Sequence, residues 1–115
     1  LFTGTLRFPG GVVGTFHCGL FLQHQDELEA IGEDGSLFVD DPWHCRATVI
    51  EVRRPAGVER IPIPEADPYQ LELENMSDAI RGEGEPLLGR DDAVAQARVI
   101  EALYRSAEEG QPVRV

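Results

Sequence analysis

Residues 27–40 read ELEAIGEDGSLFVD, two short runs carrying apolar residues on either side of Glu33-Asp34-Gly35. Asp-Gly between such runs is among the strongest local signals for a β-hairpin, because glycine takes the positive φ that a tight turn demands. The stretch therefore predicts two antiparallel strands, ELEAIG and SLFVD. The same punctuation recurs outward from it. Towards the N-terminus TLRF and VVGTFHCGLFL flank PGG, and towards the C-terminus ATVIEV and VERIPI are joined through RRPAG. Three consecutive hairpins over residues 1–64 predict a meander of about six strands.

After IPIPEADP the apolar period changes from two to about three and a half, so residues 67–110 read as helical. Asp67-Pro68 is a good helix start: the carboxylate can cap free amides, and proline fills a first-turn position that needs no donor. Tyr69, Leu73, Met76 and Ile80 then share one face, while Glu72, Asn75 and Arg81 point away, and the helix should stop near Gly82. A second helix is expected from about Asp91 with Val94, Ala97, Ile100, Leu103 and Ala107 as its stripe, a Glu101–Arg105 pair outside it, and Gly110 as its stop. The closing QPVRV reads as an extended segment. The fold class is thus α+β: one domain over 1–115, a mostly antiparallel sheet with two C-terminal helices packed on one face.

Composition removes several functions. The chain has 115 residues, 42% hydrophobic and 27% charged, which suits one soluble globular domain with no apolar run long enough for a membrane span. Its net charge of -11, with no lysine at all and dispersed arginines, opposes binding to nucleic acid or to an anionic membrane surface. Two cysteines are too few for a disulfide framework, which points to a reducing, cytoplasmic setting. The opening LFTGTLRFPG has no features of a targeting peptide and reads as though it begins inside a strand, as a piece of something longer would.

Two His-Cys pairs, His17-Cys18 and His44-Cys45, invite a zinc or nucleophile reading. Strand geometry opposes it, since neighbours in a strand point to opposite faces, and no Cys-x-x-Cys or His-x-x-x-His spacing is present. No metal ligand and no catalytic residue is assigned. Cys18 shares its parity with Val12, Phe16, Leu20 and Leu22, which predicts a small buried hydrophobe. His17 falls with Val13, Thr15 and Phe21 on a mixed face suited to a ligand, a partner subunit or solvent. His24 and His44 sit in loop-like surroundings and read as surface residues. Asp40-Asp41-Pro42 reads as a turn after a strand, and Asp91-Asp92 as the acidic first turn of a helix. The glycines of FPGGVVG lead into a strand rather than a helix, so they do not form a phosphate cradle. Trp43 and Tyr69 are the aromatics best placed for a ligand, or else for capping the edge of the core.

The second half, PYQLELENMSDAIRGEGEPLLGRDDAVAQARVIEALYRSAEEGQPVRV, with its Asp-Ala-Ile-Arg run, Gly-Glu-Pro linker, long helix and terminal Pro-Val, resembles the C-terminal end of the Gfo/Idh/MocA oxidoreductase family. LEAIGEDGSLFVDDPW is similar to a strand-turn-strand of the same family. The resemblance implies a parent enzyme whose N-terminal Rossmann domain binds NAD or NADP, with the present chain as most of the second domain, helping to form the substrate pocket and a dimer interface. It implies oxidation of a sugar, polyol, cyclitol or diol by hydride transfer. The dinucleotide fingerprint and the motif carrying the family's catalytic lysine lie outside this sequence, so no turnover is expected from it alone and no cofactor is bound by it. Tyr69, which matches the aromatic opening the family's penultimate helix, and His17 are the two substrate-binding candidates. A free-standing module that self-associates through an open sheet face, without catalysis, is the alternative.

Overall fold

The computed structural model describes residues 1–115. Six strands and two helices follow in the expected order: β1 (Phe2–Arg7), β2 (Val13–Cys18), β3 (Glu27–Gly32), β4 (Gly35–Asp40), β5 (Val49–Arg54), β6 (Gly57–Pro62), α1 (Pro68–Arg81) and α2 (Arg90–Glu109). The α+β reading holds, with a difference in the sheet. The strands form a two-stranded sheet, β1-β2, and a four-stranded meander, β3-β4-β5-β6. The break falls at Gly19–Asp26, where the chain leaves β2 without pairing again until β3. Correspondingly, the chain divides into two compact units, one of Leu1–Phe21 with Asp78–Val115 and one of Leu22–Ser77.

Within the four-stranded sheet, the Asp-Gly hairpin closes on the pair Gly32↔Gly35, and antiparallel register then runs to Glu27↔Asp40. Gly35 has a φ of 153°, and a Cβ there would lie 2.2 Å from the carbonyl oxygen of Arg53 on β5. Only glycine lets the two backbones approach this closely. Register sorts the side chains into two faces. Leu28, Val39, Ile50 and Ile61 stand in one row across the sheet, with Ala30, Leu37 and Val52 in the next row on that face. Val52 is buried, while Leu28 and Leu37 remain half exposed. The opposite face carries a ladder of charge. Arg53 reaches Glu51 at 2.9 Å and Glu29 at 3.5 Å, Arg60 reaches Glu51 at 3.2 Å, and the Arg53 guanidinium lies 3.9 Å from the Phe38 ring centre.

In the other unit, alternation along β1-β2 turns Phe2, Gly4, Leu6, Gly14 and Phe16 to the less exposed side. Phe2 stacks with Phe16 at 6.1 Å and meets Tyr104 of α2 at 5.6 Å. The Phe16 ring lies across Gly4, where a Cβ would come within 2.4 Å of it and within 3.2 Å of Leu103. Position 4 lacks a side chain so that an aromatic can fill the space between hairpin and helix.

Both helices begin and end as expected. Asp67 Oδ1 accepts the backbone N–H of Tyr69 at 2.9 Å and of Gln70 at 3.3 Å, capping α1, and Gly110 closes α2 in a left-handed conformation while donating to the carbonyl of Ser106. Their faces differ from expectation. In α1 the stripe Tyr69, Leu73, Met76 and Ile80 is exposed, and the partly covered side is Asn75, Asp78 and Ala79. In α2 the covered face is Val99, Ala102, Leu103 and Ser106, with Ala102 buried, so of the expected stripe Leu103 remains in place while Val94 and Ile100 are exposed. Arg105 points to Glu109 at 3.7 Å rather than back to Glu101. Residues 111–115 pair with no strand.

The buried placement of Cys18 is corrected as well: it is exposed and free, like Cys45. Strand β2 ends at Cys18, so the alternation that linked it to Leu20 and Leu22 stops, and both leucines face water.

Candidate functional site

Two groups of side chains carry chemistry, one in each unit. The first surrounds His17. Register places Thr3 opposite His17 and Thr5 opposite Thr15 on β1-β2. Together with Gly4 and Phe16 they line a shallow, open depression of about 340 Å³. Three hydroxyls and an imidazole here offer hydrogen-bond donors and acceptors along the ribbon. His17 itself is exposed and makes no side-chain hydrogen bond. It shares its face of β2 with Val13 and Thr15 as the alternation predicts, whereas Phe21 lies beyond the end of the strand and is exposed.

Tyr69 lies in the other unit, in the first turn of α1, with 67% of its surface exposed. Its backbone is held by Asp67 while its ring stays accessible. The two candidates therefore fall in different units, His17 in the first and Tyr69 in the second.

The second group was invisible in the spacing of the sequence. Where β3 begins and β4 ends, the last register pair is Glu27↔Asp40, and the residues just beyond it, Asp26 and Asp41, face one another with the N–H of Asp41 donating to the carbonyl of Asp26 at 2.6 Å. His44 comes back over this pair: its Nδ1 lies 2.7 Å from Asp41 Oδ1 and 3.3 Å from Asp26 Oδ2. From the loop after β2, His24 Nε2 reaches the same Asp26 oxygen at 3.4 Å. Two histidines that read as separate surface residues therefore converge on one carboxylate. Asp41 adopts a φ of 50° to make the turn, as its Asp-Asp-Pro context anticipates. Its carboxyl is held below the usual carboxylate range, chiefly by the His44 side chain and further by the His44 backbone N–H and nearby Arg46, against the opposing effect of partial burial.

Comparison with known proteins adds the decisive observation. The family model described as the oxidoreductase family, C-terminal alpha/beta domain, matches residues 1–115. The chain belongs to the Gfo/Idh/MocA oxidoreductase family, as its C-terminal domain. It is also 30% identical over 119 residues to an uncharacterized oxidoreductase, ORF334, of Rhizobium meliloti, covering 96% of this chain and 35% of that protein. The domain therefore spans about a third of the length of the relative it matches. No solved structure matches it. Within this oxidoreductase domain no helix is long and apolar enough to cross a membrane.

Proposed function

We propose that this oxidoreductase domain forms the substrate-side part of an NAD(P)-dependent dehydrogenase acting on a sugar, polyol, cyclitol or diol. The observation that carries this reading is the family match along all 115 residues. Nicotinamide binding and the hydride-transfer step belong to the remainder of a longer protein, because this sequence contains neither a dinucleotide fingerprint nor any lysine to serve as the family's acid-base group. The part assigned to this domain is recognition. A polyol offers a row of hydroxyls, and the threonine and histidine face around His17 supplies complementary donors and acceptors. Tyr69 is the second candidate, through its accessible phenol at the start of α1.

A second role is assembly. Exposed apolar residues such as Leu73 and Ile80 on α1, and Leu28 and Leu37 on the four-stranded sheet, are surfaces that a neighbouring domain or a second copy would cover. This favours a homodimer or higher oligomer, and it equally fits a non-catalytic module that only associates. The compartment that agrees with two free cysteines is the cytoplasm.

Steady-state kinetics of the full-length protein test the recognition role. His17→Ala and Tyr69→Phe are expected to raise KM for a polyol substrate about tenfold while leaving nicotinamide affinity unchanged. Unaltered kcat and KM in both variants would remove these residues from the pocket.

A further inference from the structure

We propose that Asp26, Asp41 and His44 form a binding site for a divalent transition-metal ion of the zinc type, with His24, in contact with Asp26 but outside that cluster, turning in as the fourth ligand, separate from the hydride-transfer chemistry proposed above. The argument is geometric. A four-coordinate ion with bonds of about 2.0–2.1 Å to nitrogen and oxygen places adjacent ligand atoms about 3.3 Å apart. Two of the separations already have this length: His44 Nδ1 to Asp26 Oδ2 at 3.3 Å and His24 Nε2 to Asp26 Oδ2 at 3.4 Å. One ligand atom from each of Asp26, Asp41 and His44 lies within 4.8 Å of the others, so a single ion can reach all three. The 2.7 Å contact between His44 and Asp41 is a hydrogen bond that the ion would replace, the two atoms separating by roughly half an ångström as each turns its lone pair inward.

The donor types select the ion. Two imidazoles with two carboxylates suit zinc, cobalt, nickel or copper, whereas calcium and magnesium prefer an all-oxygen shell. Charge agrees with this, since two carboxylates and two neutral imidazoles balance one divalent ion. Burial is graded: the side chains of Asp26 and Asp41 are 22% and 16% exposed, while His44 and His24 rise to 40% and 71%. The carboxylates form a floor fixed by the β3-β4 register, and the imidazoles form a rim open to solvent through which an ion can enter. Arg46, 3.8 Å from Asp41 Oδ2, is positioned to steady that carboxylate from outside the ligand set. Cys45 takes no part, its sulfur being directed to the carbonyl of Pro42 at 3.8 Å.

The test uses the full-length protein, stripped by a chelator and dialysed against Zn²⁺ or Co²⁺ alone. Wild type is expected to retain one more ion per chain than the His24→Ala, His44→Ala double variant, and to give the visible absorption of four-coordinate Co²⁺. Asp26→Asn should weaken Co²⁺ binding at least about tenfold, and His17→Ala should leave it unchanged. His24 and His44 are exposed, so their replacement leaves the fold intact, and the thermal melt of each metal-free variant checks this. Equal metal content in wild type and the double variant, or Co²⁺ binding lost equally in His17→Ala, would overturn the site.

Discussion

Single residues carry much of what is distinctive in this domain, and the clearest case is a carboxylate. Glu51 sits at the centre of the charged face, and its carboxyl is held below its ordinary 4.5 chiefly by the hydrogen bond from Arg53, with burial opposing and the hydrogen bond from Arg60 adding to the lowering. A depressed folded-state value means that the stabilising contribution is present above the unfolded value and is lost as pH falls through the folded one. Urea denaturation at a series of pH values should therefore show Glu51→Gln losing less stability than wild type as pH drops below 4.5. An identical acid limb in both proteins would mean that the ladder is solvated in each state. Asp67 gives a second expectation: Asp67→Ala removes the α1 cap and should cost about 1 kcal/mol by the same measurement. The cap was legible from the Asp-Pro dipeptide because it is local. The convergence of His24, Asp26, Asp41 and His44 was not, because it depends on which residues the β3-β4 register sets beyond its last pair, and spacing along the chain does not encode that.

At the scale of elements, the hairpin that decides the fold depends on Gly35. Gly35→Ala combines a positive φ with a clash against the Arg53 carbonyl and should destabilise the domain by more than about 1 kcal/mol, read from its thermal or urea transition. All six strands and both helix ends were readable for this kind of reason: the turn residues and the two periods act over a few neighbours. The helix faces were harder. Periodicity marks where apolar residues cluster, but it does not tell which surface covers them. In α1 the stripe of Tyr69, Leu73, Met76 and Ile80 is turned to solvent, and in α2 the covered face centres on Ala102 and Leu103. The same limit misplaced Cys18, since alternation was carried past the end of β2. A consequence can be measured. Leu73→Glu in the isolated 1–115 chain should change stability by no more than about 0.5 kcal/mol, as expected at an exposed position, whereas a loss of several kcal/mol would place Leu73 in the domain's own core.

For the whole molecule the surface area is informative. The chain exposes 10108 Å². Scaling for folded monomers gives roughly 6,200 Å² for one body of this mass, and about 7,500 Å² even for two separate bodies of half the mass. Only Val52 and Ala102 are buried hydrophobics. The chain spans about a third of the length of its oxidoreductase relative. The most direct measurement is a nicotinamide-reduction assay on the full-length protein and on the 1–115 chain, with NAD⁺ or NADP⁺ and a panel of sugars, polyols, cyclitols and diols. The expected result is cofactor reduction by the full-length protein with at least one of these substrates and none by residues 1–115. Turnover by residues 1–115 alone, or a full-length protein that binds neither NAD⁺ nor NADP⁺, would contradict the assignment of this domain to recognition and assembly within a dehydrogenase.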